Sequence, residues 1–493
     1  MKIYNYSIFQ SLSKVVMVML SIVLLTACDD FLDVKPTTEL DRDELFRSER
    51  GYVDALTGVY TQMAAADMYG RDLTIFIPDA LAGYYSWSNL TTLWTNYKYK
   101  HDSPDRNDNA IATIDAIWDH MYNNIANLNA LLGTIDENRN VFTGDNYSII
   151  KGEALGLHAF LHFELLRMFA PSYAVDANAA CIPFSTELTT DIQPLLPTKE
   201  IMGKIISELE ESRELMRNDP IHLGTAPTEV MAPLPTNSDM DVWHNRRFRF
   251  NYYAVVATLA RVYLWEGNKE KALACAKEII ADQEKRFPWV KTENLTYIGT
   301  DNEPNQDRLF ATEHIFAMNV PQLEDFLNGY TWIGATSYTS PNAPLNYDIP
   351  GSLYFGKDIR SQYLIGALSY YNVSTKYTQN EAVNICYKER VPMIRVSEMY
   401  YIAAECEPNP AQALKYLETV RQHRGLSDMP LDASADLQSE IANEYRKEFL
   451  GEGQLWYYLK RTNSASIPNG WSFTGPDLYT FDRPEKEDTN ANR

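Results

Sequence analysis

Apolar residues in this chain recur at three- and four-residue spacing over long windows. That period constrains the fold more than any other feature, because only an α-helix collects residues so spaced onto one face. In 43–66 the set is Leu45, Phe46, Tyr52, Val53, Leu56, Val59, Tyr60 and Met63, opened by an acidic turn. The same pattern runs through 110–132, 147–169, 198–216, 250–265, 270–281, 394–406, 411–423 and 437–450, while strand-like alternation is sparse. The expected fold class is therefore predominantly all-α.

Within 252–280, Leu259, Ala260, Tyr263, Gly267, Ala272 and Ala276 fall at the offsets of a tetratricopeptide repeat. Small side chains at Ala260 and Ala272 let two antiparallel helices approach closely, and Gly267 makes the turn between them. A second pair, over 395–424, keeps part of the pattern in Ala404, Ala413 and Leu417. Stacked pairs of this kind build solenoid-like scaffolds, which usually hold partners. Two stretches are punctuated by Pro, Gly, Asn and Ser instead: 218–246, and 301–358 with Pro304, Pro321, Gly329, Gly334, Pro341, Pro344, Pro350 and Gly351. Both read as long irregular connections, and loops of such length are often functional. The expected layout is a leader over 1–27 and a single body over 28–493. The body comprises a helical part 29–217 with an aromatic loop at 84–99, the connection 218–246, and a helical part 247–493 carrying the loop 301–358.

The amino end sets the compartment. Lys2 and Lys14 precede an apolar run from Val15 to Ala27, too short to span a bilayer core of about 30 Å at about 1.5 Å per residue. It reads as a signal-peptide core, and Leu25-Thr26-Ala27-Cys28 resembles the lipobox of bacterial lipoproteins, with Cys28 as the cleavage and acylation point. A diacylglyceryl group there, with a further acyl chain on the new amino terminus, would anchor the chain stably. Asp29 and Asp30 resemble a surface-export signal of such lipoproteins. With Lys+Arg 44 against Asp+Glu 66, the formal charge is −22, which argues against a nucleic-acid binder, since affinity for a polyanion rests on Lys and Arg. Cys181, Cys275, Cys386 and Cys406 are widely spaced without any C-x-x-C pair, so buried thiols are expected rather than a disulfide framework.

Several stretches, taken in order, are similar to the SusD/RagB family of outer-membrane nutrient-binding lipoproteins. They are the lipobox with its CDDFLDVKP start, Gly152-Glu153-Ala154-Leu155 running on to HFELLRMF at 162–169, and the helix pair 251–280. GKDIR at 356–360, PMIRVSEMY at 392–400 and EYRKEFLGEG at 444–453 complete the set. Ser397-Glu398 stands where the family usually has an alanine-glutamate step, and Gly156 and His158 replace commoner Ala and Arg; these read as packing variation. The resemblance implies four tetratricopeptide-like helix pairs carrying a less regular ligand-binding lobe. It also implies a cell-surface location on the outer membrane and a SusC-like TonB-dependent barrel that the lipoprotein covers as a lid.

Candidate chemical motifs weigh toward structure. His158 and His162 share a helix face at i, i+4, but without the glutamate of H-E-x-x-H and among Leu, Phe and Met they read as packing histidines. Asp102, Asp105 and Asp108 lack the spacing of a calcium loop and read as a surface turn. Glu444, Glu448 and Glu452 form a carboxylate stripe interleaved with Arg446 and Lys447, read as ion-paired structure rather than a glycosidase pair. Arg395 with Glu398 at i+3 is read the same way. No nucleophile elbow, Walker loop or dinucleotide fingerprint occurs, so neither catalysis nor a cofactor nor a metal is expected.

The aromatic clusters point to binding. The chain holds 32 Tyr, 9 Trp and 19 Phe, and Tyr84, Tyr85, Trp87, Trp94, Tyr97 and Tyr99 gather in one segment with Asn89, Asn96 and Lys98 between them. Flat rings with polar handles suit sugars, which present an apolar face and many hydroxyls. A loop packed by aromatics is the competing reading. A second group, Phe326, Tyr330, Trp332 and Tyr338, lies in the long mid-chain loop, and the family's ligand site resembles this arrangement. The candidate ligand contacts are Trp87, Trp94, Asn96, Tyr97 and Trp332. The expected cargo is oligosaccharide, with peptide as the alternative on the same architecture and a surface glycanase behind both.

Overall fold

The computed structural model describes residues 42, 44–85, 98–232, 243–295, 306–328, 345, 357–368, 371–378, 383–468, 471–472 and 479–489. Among these residues ten α-helices of eight residues or more run in chain order: α1 (Glu49–Met63), α2 (Asp108–Ile135), α3 (Asn146–Phe169), α4 (Thr198–Leu215), α5 (Tyr252–Glu266), α6 (Lys269–Arg286), α7 (Val396–Cys406), α8 (Pro410–His423), α9 (Leu437–Glu448) and α10 (Gln454–Arg461). Each of α1 to α7 packs on the next, so four successive pairs stack into one array; α9 lies against α7, and α10 against α9. The chain thus has the helical, tetratricopeptide-like architecture expected of it.

The caps explain where many helices begin. Side chains of Ser48, Asn107, Asn251, Asn268, Asn409 and Asp436 each accept a backbone N–H from the first turn of the helix they precede, satisfying donors that have no partner within the helix. Gly267 closes α5 in the left-handed region (φ 90°), and the Asn268 N–H reaches back to the Tyr263 carbonyl at 2.8 Å, so two residues suffice to reverse the chain into α6. Ala260 and Ala272 are fully buried between the two helices. α5 is buried from Tyr252 to Trp265, whereas α6 buries only Ala272, Cys275, Ala276, Ile279 and Gln283. The first is an interior helix of the array and the second its outer cover. Gly156 of α3 permits another close approach: a Cβ there would lie 2.7 Å from the Phe250 ring.

Strands form four antiparallel two-stranded ladders: β1 (Ala180–Pro183) with β2 (Leu195–Pro197), β3 (His314–Asn319) with β6 (Arg390–Arg395), β4 (Ile365–Leu368) with β5 (Tyr371–Ser374), and β7 (Ser466–Ile467) with β8 (Trp471–Ser472). β3 corrects the reading of 301–358 as wholly irregular, as does the short helix Leu323–Asn328 that follows it. Its register runs from His314 opposite Arg395 to Asn319 opposite Arg390. β6 is buried along its whole length and leads straight into α7, so Ile394 belongs to a strand and not to the helix start expected there. Among the described residues a large apolar core extends from Phe46 to Phe481, with a smaller separate cluster of Val290, Leu295, Phe310, Ile359, Tyr363 and Leu364.

Cys181, Cys275 and Cys406 are buried free thiols and Cys386 a half-buried one; burial pushes Cys275 up to about 12, leaving it un-ionised. No described helix is long and apolar enough to cross a membrane. Cys28 and the leader lie outside the described residues.

Candidate functional site

Of the aromatic segment 84–99, the ends are core. Tyr84 is fully buried and donates to the Arg446 carbonyl at 2.8 Å, Tyr85 donates to the Ile75 carbonyl, and Tyr99 packs edge-on against Phe481 at 5.5 Å. These three are therefore not ligand platforms, a correction to reading the whole segment as one cluster. Trp87, Trp94, Asn96 and Tyr97 lie outside the described residues, as do Tyr330, Trp332 and Tyr338. The backbone around them is nonetheless informative. Tyr85 forms an isolated antiparallel bridge with Leu345 of the mid-chain loop, and the Leu345 N–H is held by the Asn372 carbonyl at 2.7 Å. The root of the early aromatic loop and the mid-chain loop are joined there.

A cavity of about 280 Å³ lies where the last turns of α1 meet the end of β3. Thr57, Tyr60 and Thr61 line it from α1 and Ala64 from its C-cap, Phe248 and Arg249 from the segment before α5, Met318 and Asn319 from β3, Gln322 from the turn after β3 and Phe326 from the short helix Leu323–Asn328. It is near the lower end of the roughly 300–1,000 Å³ typical of small-ligand sites. Phe326 is the member of the predicted mid-chain cluster that the described residues place at a cavity.

Behind the cavity sits a buried charge cluster. Arg246 donates to Asp219 through Nε (3.0 Å) and Nη2 (2.7 Å) and to Glu153 through Nη1 (2.9 Å). The Tyr60 hydroxyl donates to Glu153 at 2.7 Å and accepts the Phe250 N–H at 2.7 Å. Burial opposes ionisation of Glu153, but Arg249 and Arg246 outweigh it and hold the carboxyl below its ordinary range. Burial, reinforced by the Glu153 carboxylate, pushes the Tyr60 hydroxyl well above its own.

Arg249 stacks over Tyr60 at 4.5 Å, and its Nε lies 2.7 Å from Glu153 as an ion pair out of line for a hydrogen bond. Its Nη1 reaches the Thr57 hydroxyl at 3.4 Å. Its Nη2 has no hydrogen-bond partner among the described residues, and neither has Asn319 Oδ1. A buried polar atom left so costs about 1–3 kcal/mol. Sequence reasoning missed this cluster; the run Arg246-Arg247-Phe248-Arg249, cationic yet set against an apolar helix, was its one visible trace.

The remaining candidates resolve as structure. His158 bridges Glu208 and the Ser185 carbonyl, both at 2.7 Å, and His162 binds the His158 carbonyl at 3.0 Å and accepts the Ser185 N–H at 3.2 Å. Both rings are fully engaged, and burial followed by the neighbouring His158 holds His162 well below its usual range. Asp102, Asp105 and Asp108 are exposed at the turn leading into α2.

The carboxylate stripe is ion-paired, as expected, but its main partners are distant. Glu448 accepts from Arg360 (3.0 Å), Arg395 (2.5 Å) and Arg424 (2.6 Å); Glu444 accepts from Arg360, Arg421 and Lys447; Glu452 accepts from Arg395 and Lys376. Gly451 and Gly453, both at positive φ (78° and 72°), wrap the turn around Asp79, whose carboxylate takes both their N–H groups. The i+3 pair Arg395–Glu398 does not form. Glu398 instead takes two hydrogen bonds of 2.6 Å from Arg261, and Arg395 faces Glu448 and Glu452. These carboxylates are closed off from solvent by cations, which suits architecture and leaves no room for a sugar between two of them.

Comparison with known proteins gives the same picture along the whole chain. Residues 30–264 match a SusD-like family described as "Starch-binding associating with outer membrane", and residues 280–493 match the SusD family. A SusD-like protein of Formosa agariphila is 22% identical, with 93% of this chain and 92% of that protein covered. Among solved structures, a putative sugar-binding protein from Bacteroides vulgatus is similar at a TM-score of 0.64 and 21% identity (90% and 96% of the two chains). A laminarin-binding SusD-like protein is similar at a TM-score of 0.60 and 17% identity (90% and 97%). With the stacked helix pairs, the buried ion network of Asp358, Arg360, Arg395, Glu444, Glu448 and Glu452, and two family matches that together span nearly all of it, the chain belongs to the SusD/RagB family.

Proposed function

We propose that the protein is a non-catalytic binding lipoprotein of the outer membrane, anchored through Cys28 and exposed at the cell surface. It captures oligosaccharide and delivers it to a SusC-like TonB-dependent barrel that it covers as a lid. The observation that carries this reading is the Tyr85–Leu345 bridge. In a member of a family associated with the outer membrane, it links the chain just before Trp87, Trp94, Asn96 and Tyr97 to the mid-chain stretch after Trp332, and these five residues are the proposed ligand contacts. Stacking on the tryptophans would supply the contact area and Asn96 a polar partner for hydroxyls. The laminarin-binding relative of the same fold supports a glycan over a peptide. The single body over 28–493, with its two helical parts, is the scaffold that holds both loops.

The test is calorimetry of the full chain against a panel of soluble glycans and oligopeptides, with reducing ends assayed in parallel. Binding to at least one glycan without cleavage is expected. Binding to peptides alone would move the protein to the peptide-binding alternative, and glycan cleavage would make it an enzyme.

A further inference from the structure

We propose that the C-terminal segment 479–488 is a strap that positions the early aromatic loop for its ligand, with Asp482 as the positioning residue. This rests on the binding reading above and adds to it what fixes the loop. The two feet of that loop are held differently. The near foot is built into the scaffold, where the buried Tyr84 and Tyr85 donate to the carbonyls of Arg446 and Ile75. The far foot, from Lys98 to His101, is held by the strap. One carboxylate oxygen of Asp482 accepts from the Lys100 ammonium at 2.7 Å, and the other accepts the His101 N–H at 2.9 Å. A single carboxylate thus grips both a side chain and the backbone.

The strap is itself tied to three elements of the scaffold. The Phe481 N–H donates to the Met168 carbonyl at the end of α3 (3.0 Å), and the Phe481 ring lies flat on Trp456 of α10 at 5.2 Å while meeting Tyr99 edge-on at 5.5 Å. Arg483 donates to the Cys181 carbonyl of β1 at 3.2 Å, and Lys486 to Asp119 of α2 at 2.6 Å. The Asn107 N–H closes 98–107 into one turn by donating to the Lys98 carbonyl at 2.7 Å, so the strap fixes how that turn as a whole sits on the scaffold. Lys100 and Asp482 are 13% and 29% exposed, and an ion pair open to water contributes little to global stability. What it fixes is position. Tyr97 stands three residues before Lys100, within about 10 Å of chain. A foot released at Lys100 and His101 therefore releases proposed ligand contacts, and binding must then order them again.

The test is titration of the full chain with the best-binding member of the glycan and peptide panel, with thermal unfolding recorded alongside. Asp482→Ala is expected to weaken binding about tenfold, the scale of ordering one released residue, while unfolding within a few degrees of the parent. Asp482→Asn keeps an oxygen for the His101 N–H and should recover part of that loss. Lys486→Ala removes only the exposed outer tie and should change affinity by no more than about twofold. Placed in Trp87→Ala/Trp94→Ala, Asp482→Ala should weaken binding little further, because the rings it positions are gone. Unchanged affinity in Asp482→Ala overturns the proposal and leaves the binding reading intact. So does a loss that is as large without the two tryptophans, which places the effect outside the loop, or one that is as full in Asp482→Asn or accompanies a matching fall in stability. If nothing in the panel binds the parent chain, the binding reading fails and the strap's role falls with it.

Discussion

In the C-terminal half, Arg360, Arg395 and Arg424 each engage all three guanidinium nitrogens with Asp358, Glu313, Glu444, Glu448 and Glu452. Around Glu153, Arg246 is equally closed, but its neighbour Arg249 keeps Nη2 without a hydrogen bond to the described residues. The two clusters use the same chemistry at the same depth. Burying charge is expensive, and repayment needs nearly every donor and acceptor to be matched. The first cluster meets that condition and tethers β6, α8, α9 and the GKDIR turn to one another. The second falls short: Arg249 Nη2 makes no hydrogen bond to the described residues, and its Nε is held only as an ion pair with Glu153.

Acidification should break the closed cluster first and most completely. Burial opposes charge on Glu444, but Arg360 and Lys447 hold it down to about 2, and Arg424 and Arg395 likewise outweigh burial to hold Glu448 well below its ordinary 4.5. Carboxyls depressed in the folded state bind protons more readily once unfolded, so their contribution is whole above 4.5 and is lost as pH falls toward 2. Asp307, which burial pushes up to about 7, works in the opposite sense, since its cost disappears as it protonates between 7 and 3.8. Stability measured by urea unfolding should therefore rise as the pH falls from 7 toward 4.5, where Asp307 sheds its cost, and then collapse as the paired carboxylates protonate. A flat profile to pH 2 would refute the paired state.

Next in size is Glu448→Gln, which strips three arginines of a shared counter-charge and should cost about 3–5 kcal/mol by chemical denaturation. A loss below about 1 kcal/mol would mean the network is not closed in the sense argued here. Tyr60→Phe probes the open cluster more gently. It removes the hydroxyl between Glu153 and the Phe250 N–H and should cost about 1–2 kcal/mol. Asn319→Ala sharpens the contrast from the other side: with its Oδ1 making no bond to the described residues, its removal should leave stability within about 0.5 kcal/mol. If Asn319→Ala destabilises as much as Glu448→Gln, the distinction between the two clusters fails.

Much of the helical scaffold was legible because amphipathic period is a local property, readable from 43–66 or 250–265 without knowing what lies opposite. β3 and β6 were not, since a short strand buried along its length is a plain apolar run with no alternation, and Pro392 within β6 reads as a breaker. Ion pairing of the glutamate stripe was legible from its spacing, but its partners were not. Arg261 reaches Glu398 from 137 positions away, and nothing local encodes that. Tyr84, Tyr85 and Tyr99 show the same limit for the site, because residue type alone does not distinguish a ring that packs inward from one that faces a ligand. The pairing of Arg246 and Arg249 with Glu153 joins segments far apart in the chain and had no signature beyond a cationic run in apolar surroundings.

The central claim is that binding resides in the aromatic loops carried by the scaffold and not in its buried ionic core. It is tested most directly by titrating the best-binding glycan of the panel into Trp87→Ala/Trp94→Ala/Trp332→Ala and into the parent chain, with thermal unfolding recorded for both. The account predicts that the triple variant keeps the parent's unfolding temperature within a few degrees, about the shift of 1 kcal/mol in a large chain, and loses affinity by about a hundredfold, the scale of removing stacked aromatic anchors. Undiminished affinity in a variant of unchanged stability would contradict it.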